Sequence, residues 1–345
     1  MGLFAVLLPL TGDELADSIP ALMRDAKVPG ISMAVIERGR IRWEGFGIKD
    51  ANRPDLVDAR TIFEAASLSK PVFAYAVLRL VDQGKLDLDT PLSKYVPDYI
   101  SDDRLSLITI RRVLTHTTGL PNWRPGGKTL VIHFTPGERF SYSGEGFVFL
   151  QRAVEHLTGE PLERLAEEMV FRPLEMSDSS YVWRSEYDET SANGHNQNGE
   201  PSRKNKPRSA NAAFSLHTTA PDYARFMLAL MKGKGLSRKL AREMLSPQVS
   251  VDAGCFNCIG KPRTHPAGNL YWGLGVGLED TPEGRAFWHW GDNGVFRCFM
   301  IGQPRRKRGI VIFTNSENGF RVVAGVVNRF LGGPQPAFDW LHYER

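Results

Sequence analysis

The chain has 345 residues, 42% hydrophobic and 24% charged, with a formal net charge of +4. It is long enough to bury a large core, as one domain or as two sharing a cleft, and its composition is that of an ordinary globular protein. Its two basic clusters, residues 203–208 and 305–308, lack any accompanying recognition element, which excludes a nucleic-acid-binding role, and no run is long enough to span a bilayer.

Residues 3–10 are apolar and read either as a remnant of an export signal or as a first helix or strand packed on the fold. They lack a basic leader and a clean cleavage site, so both a periplasmic or secreted location and a cytoplasmic one stay open. Residues 31–36 and 41–48 read as strands joined by Arg38-Gly39, a hairpin signal. Helical spacing follows over 67–83, 109–115, 146–157, 161–170 and 220–231. The stretch 184–209 is polar and poor in apolar residues, a long surface excursion. Strand patterns return over 271–278, 285–290, 296–301 and 309–314, with 305–308 as a hairpin turn, and a helix over 322–331 follows. Gly273, Gly275 and Gly277 alternate with apolar residues and read as the bare face of the first of these strands, not as a nucleotide loop. Strands at both ends with helices between predict an α/β (α+β) fold: one antiparallel sheet built from both chain ends, flanked by helices, with an inserted all-helical domain. The expected division is 1–60 with 212–345 for the sheet domain and 61–211 for the helical one, with the active site in the cleft between them. Cys255-Phe256-Asn257-Cys258 is a lone C-x-x-C in a loop, read as a local disulfide or as free thiols, since further zinc ligands at suitable spacing are missing.

The most informative stretch is Ser67-Leu68-Ser69-Lys70. Pro71 is tolerated only in a first helical turn, which places Ser67 at or next to the N-cap and Lys70 in the first turn. A cation there opposes the helix dipole at a cost of roughly 0.3–1 kcal/mol. The same field, with burial, makes the lysine easier to deprotonate. A neutral lysine one turn from a hydroxyl can take its proton and turn the serine into a nucleophile. The competing reading is a capping serine followed by a surface lysine. Two downstream segments weigh against it: Tyr142-Ser143-Gly144, in a turn-rich loop feeding a helix, and His289-Trp290-Gly291, on a late strand.

With these three motifs in this order, and Leu114-Thr115-His116-Thr117-Thr118-Gly119-Leu120 between the first two, the chain resembles the serine β-lactamase and penicillin-binding protein superfamily. The nearest branch holds class C β-lactamases, D-Ala-D-Ala carboxypeptidases and family VIII carboxylesterases. The resemblance implies the two-part architecture above and an acyl-enzyme on Ser67, with no metal or organic cofactor. Lys70 holds the site's protons, and Tyr142 serves as acid and base with a pKa lowered by the lysine charge. The backbone N–H groups of Ser67 and Asp292 form the oxyanion hole. His289 donates a hydrogen bond near Tyr142, and Gly291 lets a substrate backbone approach the strand edge.

Two departures bear on substrate. Gly144 stands where the superfamily carries an asparagine that contacts a β-lactam's side-chain amide. His289 and Trp290 stand where it carries a lysine and a threonine that meet the carboxylate. Arg297 is the remaining candidate partner for a carboxylate. The reading is therefore a carboxylesterase on small esters. A β-lactamase or D-peptide carboxypeptidase is the runner-up, and an inactive cell-wall or partner-binding module is the rival of another class.

Overall fold

The structure is a computed structural model that describes residues 8–9, 14–124, 126 and 128–343. Helix α1 (Glu14–Ala26) precedes strands β2 (Gly30–Glu37) and β3 (Arg40–Asp50), after β1 (Leu8–Pro9). Arg38 and Gly39 both take positive φ (50° and 79°), the backbone that a tight two-residue hairpin requires. The short strands β4 (Arg53–Leu56) and β5 (Phe63–Glu64) follow. Helices α2 (Ser69–Asp82), α3 (Ile110–Leu114), α4 (Gly144–Thr158), α5 (Leu162–Ala166) and α6 (Tyr187–Thr190) then run to β6 (His217–Thr218). Strand β6 pairs with β5 in a two-stranded ladder, so the largely helical stretch begins and ends at one place. Helices α7 (Ala220–Lys232) and α8 (Arg238–Met244) lead back to β7 (Val249–Asp252), β8 (Pro266–Trp272), β9 (Gly277–Thr281), β10 (Gly284–Asp292), β11 (Arg297–Gln303) and β12 (Arg308–Thr314). Helices α9 (Phe320–Leu331) and α10 (Pro336–Leu341) close the chain.

The main sheet runs β1-β3-β2-β12-β11-β10-β9-β8-β7, with β4 beside β3. Strand β2 pairs antiparallel with β12, Met33 opposite Ile312, which joins the two ends of the chain as expected. The pair β1–β3 is parallel; the rest of the apolar run 3–10, read as a signal remnant or first element, lies outside the described residues. Helices α1, α9 and α10 pack on one face and α2 and α7 on the other, so strands β2, β11 and β12 are apolar on both sides and almost wholly buried. No helix of the described residues is long and apolar enough to cross a membrane.

Three expectations need correction. The apolar–glycine alternation at 273–277 is not a strand face but the turn between β8 and β9. Gly275 has φ +86° and its Cβ would come within 2.4 Å of Ala74 on α2, while a Cβ on Gly273 would meet the Met244 carbonyl at 2.3 Å. The polar stretch 184–209 is not all surface: Tyr187, Ala192 and His195 are buried. His195 ties β3 to the end of β12, accepting the Ala51 N–H at Nε2 and donating through Nδ1 to the Asn315 carbonyl. The predicted helix 161–170 loses its α form at Ala166 and continues as one wider π turn, Glu167–Phe171.

Candidate active site

Ser67 lies in a single 3-10 turn, Ala66–Leu68, that leads into α2. Ala66 has φ +47°, a strained conformation for a residue with a Cβ, and strain of this kind persists only where the surroundings impose it. They do so here. The Ala65 N–H donates to Leu216, and Ser69 Oγ donates to the Ala66 carbonyl while accepting the Leu216 N–H. The buried hydroxyls of Tyr223 and Tyr181 donate to the carbonyls of Leu68 and Ser69. Across residues 61–78 every residue is buried except Ser67. The turn thus holds one hydroxyl at the edge of solvent in an otherwise closed wall.

Lys70 is completely buried. Its Nζ lies 3.1 Å from Ser67 Oγ and donates to the Ala213 carbonyl at 2.8 Å, with the rings of Tyr142 and Phe147 beneath it at 4.8 and 5.7 Å from their centroids. No carboxylate among the described residues pairs with it, and burial pushes its pKa down from 10.5 to about 7. As a neutral amine it keeps one N–H on Ala213 and turns its lone pair toward Ser67.

Tyr142 is buried, its hydroxyl without a well-aligned partner among the described residues; Ser67 is the side chain that draws its pKa down, but burial outweighs it and the pKa is raised well above 10. The expectation that lysine charge lowers it is therefore corrected: an adjacent amine that is itself half neutral supplies too little field to offset desolvation. The backbone around Tyr142 is fixed from both sides. Its N–H donates to the Phe256 carbonyl, the Ser143 N–H to His116 Nδ1, and the Gly144 N–H to Asn122. Ser143 caps α4, its Oγ accepting the Gly146 N–H. The His116 ring stacks 4.3 Å from that of Tyr142. Because His116 Nδ1 accepts a backbone N–H, its proton sits on Nε2, which is buried and has no partner among the described residues. Burial, then Lys70, then His289 hold its pKa well below 6.5.

His289 is fully buried and Nδ1 donates to the Trp290 carbonyl at 2.7 Å. Its Nε2, without a partner among the described residues, is therefore an acceptor, not the donor expected, and burial with Lys70 lowers its pKa to about 3. Trp290 packs 4.7 Å from the Tyr142 ring. Gly291 has a packing reason of its own: a Cβ would meet Cys298 Sγ at 2.2 Å and the Ala65 carbonyl at 2.5 Å, so the glycine lets β10 lie against the nucleophile turn. Asp292 follows at the end of β10, and its carboxylate pairs with Arg297. Arg297, the candidate partner for a substrate carboxylate, also donates to the Glu317 carbonyl and lies over the Phe320 ring, so its guanidinium is already engaged by protein groups. Arg321 is exposed instead, on a cavity of about 320 Å³ that Phe256, Trp290, Asp292 and Tyr343 also line.

At Gly144 the space left by the absent side chain is filled. A Cβ there would sit 2.8 Å from the Asn122 carbonyl and 2.9 Å from the Trp123 indole, so restoring an asparagine collides with both. Trp123, His116, Ala213, Phe256 and Arg321 were not singled out from sequence; of these, His116 lay in a stretch already recognised as characteristic.

The Beta-lactamase family description matches residues 15–330. The chain is 31% identical over 194 residues to esterase EstB of Burkholderia gladioli (46% of this chain, 49% of EstB). It is 29% identical over 203 residues to the D-alanyl-D-alanine-carboxypeptidase/endopeptidase AmpH of Escherichia coli strain K12 (50% of this chain, 52% of AmpH). The chain thus spans about half the length of these curated relatives. A class C beta-lactamase mutant superposes with a TM-score of 0.79 over 92% of this chain and 96% of that one, at 22% identity, a likeness of fold. The ordered motifs, the sheet closed by both chain ends and the matched span together make this chain a member of the beta-lactamase family.

Proposed function

We propose that the chain is a serine hydrolase working through an acyl-Ser67 intermediate, with small carboxylic esters as its substrates. One observation carries the reading: the single solvent-reaching residue of a buried wall is a serine hydroxyl 3.1 Å from a fully buried amine whose pKa is near 7. Neutral Lys70 takes the Ser67 proton as Oγ bonds to the ester carbonyl carbon. The carbonyl oxygen gains charge facing the backbone N–H groups of Ser67 and Asp292. When the intermediate collapses, the carbon–alkoxide bond breaks and the leaving oxygen is protonated from Lys70 through Tyr142, whose raised pKa keeps it a proton carrier rather than a phenolate. Water, deprotonated by the same pair, then releases the acid and restores Ser67. The site lies where the sheet unit (1–60 and 212–345) meets the helical unit (61–211).

Exposed Arg321 beside Asp292 favours a second reading, hydrolysis of a β-lactam or D-peptide whose carboxylate it would meet. The filled space at Gly144 weighs against it, because the amide of such a substrate loses its partner there, at about 1–3 kcal/mol.

The test is mass spectrometry after incubation with a fluorophosphonate, alongside hydrolysis of p-nitrophenyl butyrate and a chromogenic cephalosporin. One label on Ser67, lost in Ser67→Ala with ester turnover down by several orders of magnitude, is the expected result. Labelling of Ser69, Ser141 or Ser143 overturns the assignment, and a protein that neither labels nor turns over any substrate is a binding module.

A further inference from the structure

Trp123 is an exposed tryptophan held rigidly beside a buried reactive centre. The Asn122 carbonyl accepts the N–H groups of Gly144 and Glu145, and Glu145 takes the backbone N–H and both arms of the Arg124 guanidinium, so residues 122–124 are clamped to the first turn of α4. The indole seats on bare Gly144 and meets the Phe214 ring edge-to-face at 5.7 Å. Phe214 directly follows Ala213, whose carbonyl receives Lys70 Nζ. Despite this anchoring Trp123 remains 45% exposed. A large aromatic held still with much of its surface in water is unfavourable for the free protein, and it offers broad apolar contact at little entropic cost to whatever covers it. The neighbouring charges are neutralised in the Arg124–Glu145 pair, so the platform is apolar rather than ionic, with the indole as its exposed face and the Phe214 ring set at 81° to it.

We infer that Trp123 and Phe214 form a stacking platform that selects esters bearing an aromatic ring over short alkyl esters. The inference rests on the acyl-Ser67 reading and names its substrate class. It also supplies a reason for Gly144: a side chain there would displace the indole.

The ring can belong to the acid or to the alcohol half, and matched substrates separate the two: ethyl phenylacetate against ethyl acetate, and benzyl acetate against ethyl acetate. In at least one pair the aromatic member should show the higher kcat/KM. Trp123→Ala should shrink that ratio about five- to tenfold, mainly through KM, while Trp123→Phe retains most of it. Leu157→Ala, an exposed apolar residue at the far end of α4, serves as the control and leaves the ratio alone. A wild-type enzyme with no aromatic preference in either pair, or a ratio untouched by Trp123→Ala, overturns the platform while esterase activity stands. If Ser67 carries no label and no ester is cleaved, the hydrolase reading fails instead. The platform is then still read by calorimetry of benzoate binding to Ser67→Ala, which should be lost in Ser67→Ala/Trp123→Ala.

Discussion

Lys70 carries two costs at once, a cation opposed to a helix dipole and an amine removed from water, and both fall away when it loses its proton. Its pKa near 7 converts that discomfort into a working base. The proposed mechanism uses the neutral form, so kcat/KM for an ester should rise tenfold per pH unit up to about 7 and level off above it. The phenol of Tyr142, pushed far up by burial, and His289, pushed down to about 3, put no second limb between pH 7 and 9. Replacing Lys70 with Ala should remove the acid limb along with the activity. A pH–rate profile that is flat through pH 6–8, or that falls above 8 in a way Tyr142→Phe abolishes, would assign the base to another group.

At the scale of elements, the loop carrying Tyr142 is positioned mainly by other loops. The Phe256 carbonyl accepts the Tyr142 N–H, the Cys258 N–H donates to Ser141 Oγ, and a disulfide between Cys255 and Cys258 closes that short loop. Closing a ring this small removes little entropy from the unfolded chain, on the order of 2 kcal/mol or less. Its consequence is local: it fixes a carbonyl against the backbone of Tyr142 and holds Phe256 toward Trp290, rings 5.8 Å apart. The Cys255→Ser/Cys258→Ser variant should melt within a few degrees of wild type yet show kcat lowered several-fold, with the acid limb of the pH profile unmoved. Unchanged kcat in the variant and under reductant would make the bridge irrelevant to Tyr142.

The same scale separates what was legible in the sequence from what was not. Ser67, Lys70 and Tyr142 stood out because acyl chemistry without a histidine base needs those residue types, and Pro71 fixed where their helix begins. The hairpin at Arg38-Gly39 was equally legible, since few residues tolerate two positive φ values in succession. The 3-10 turn under Ser67 was not, because its causes are the hydroxyls of Tyr181 and Tyr223, more than a hundred residues away. Alternation at 273–277 misled because glycine between apolar residues fits a strand face and a tight turn alike; contact with Ala74 of α2 decides between them. The direction of the Tyr142 shift depends on burial, which a motif does not encode.

Across the whole molecule, the end of the chain reaches the site. Helix α10 lays Trp340 against Phe256, Trp288 and Trp290, and Tyr343 lines the cavity beside Trp290. That helix is docked partly by a buried carboxyl: Glu279 on β9 is fully enclosed, Oε2 accepts the Ala337 N–H at 3.0 Å, and Oε1 has no partner among the described residues. Burial raises its pKa from 4.5 to about 8. Between these values the folded protein holds a proton that the unfolded chain releases, so this group's contribution to stability is full below about pH 4.5 and is lost progressively as pH rises toward 8. Glu279→Gln keeps the acceptor for Ala337 and cannot ionise. It should therefore leave the melting temperature near that of wild type at pH 4.5 and raise it by several degrees at pH 8, for a gain on the order of 4 kcal/mol. Glu279→Ala, which leaves the Ala337 N–H without an acceptor and opens a cavity, should be destabilising at both pH values. A glutamine variant that melts lower than wild type at pH 8 would show that the carboxylate is charged and paired in the fold. In that case the packing of α10 against Trp290 would depend on an ion pair rather than on a neutral acid.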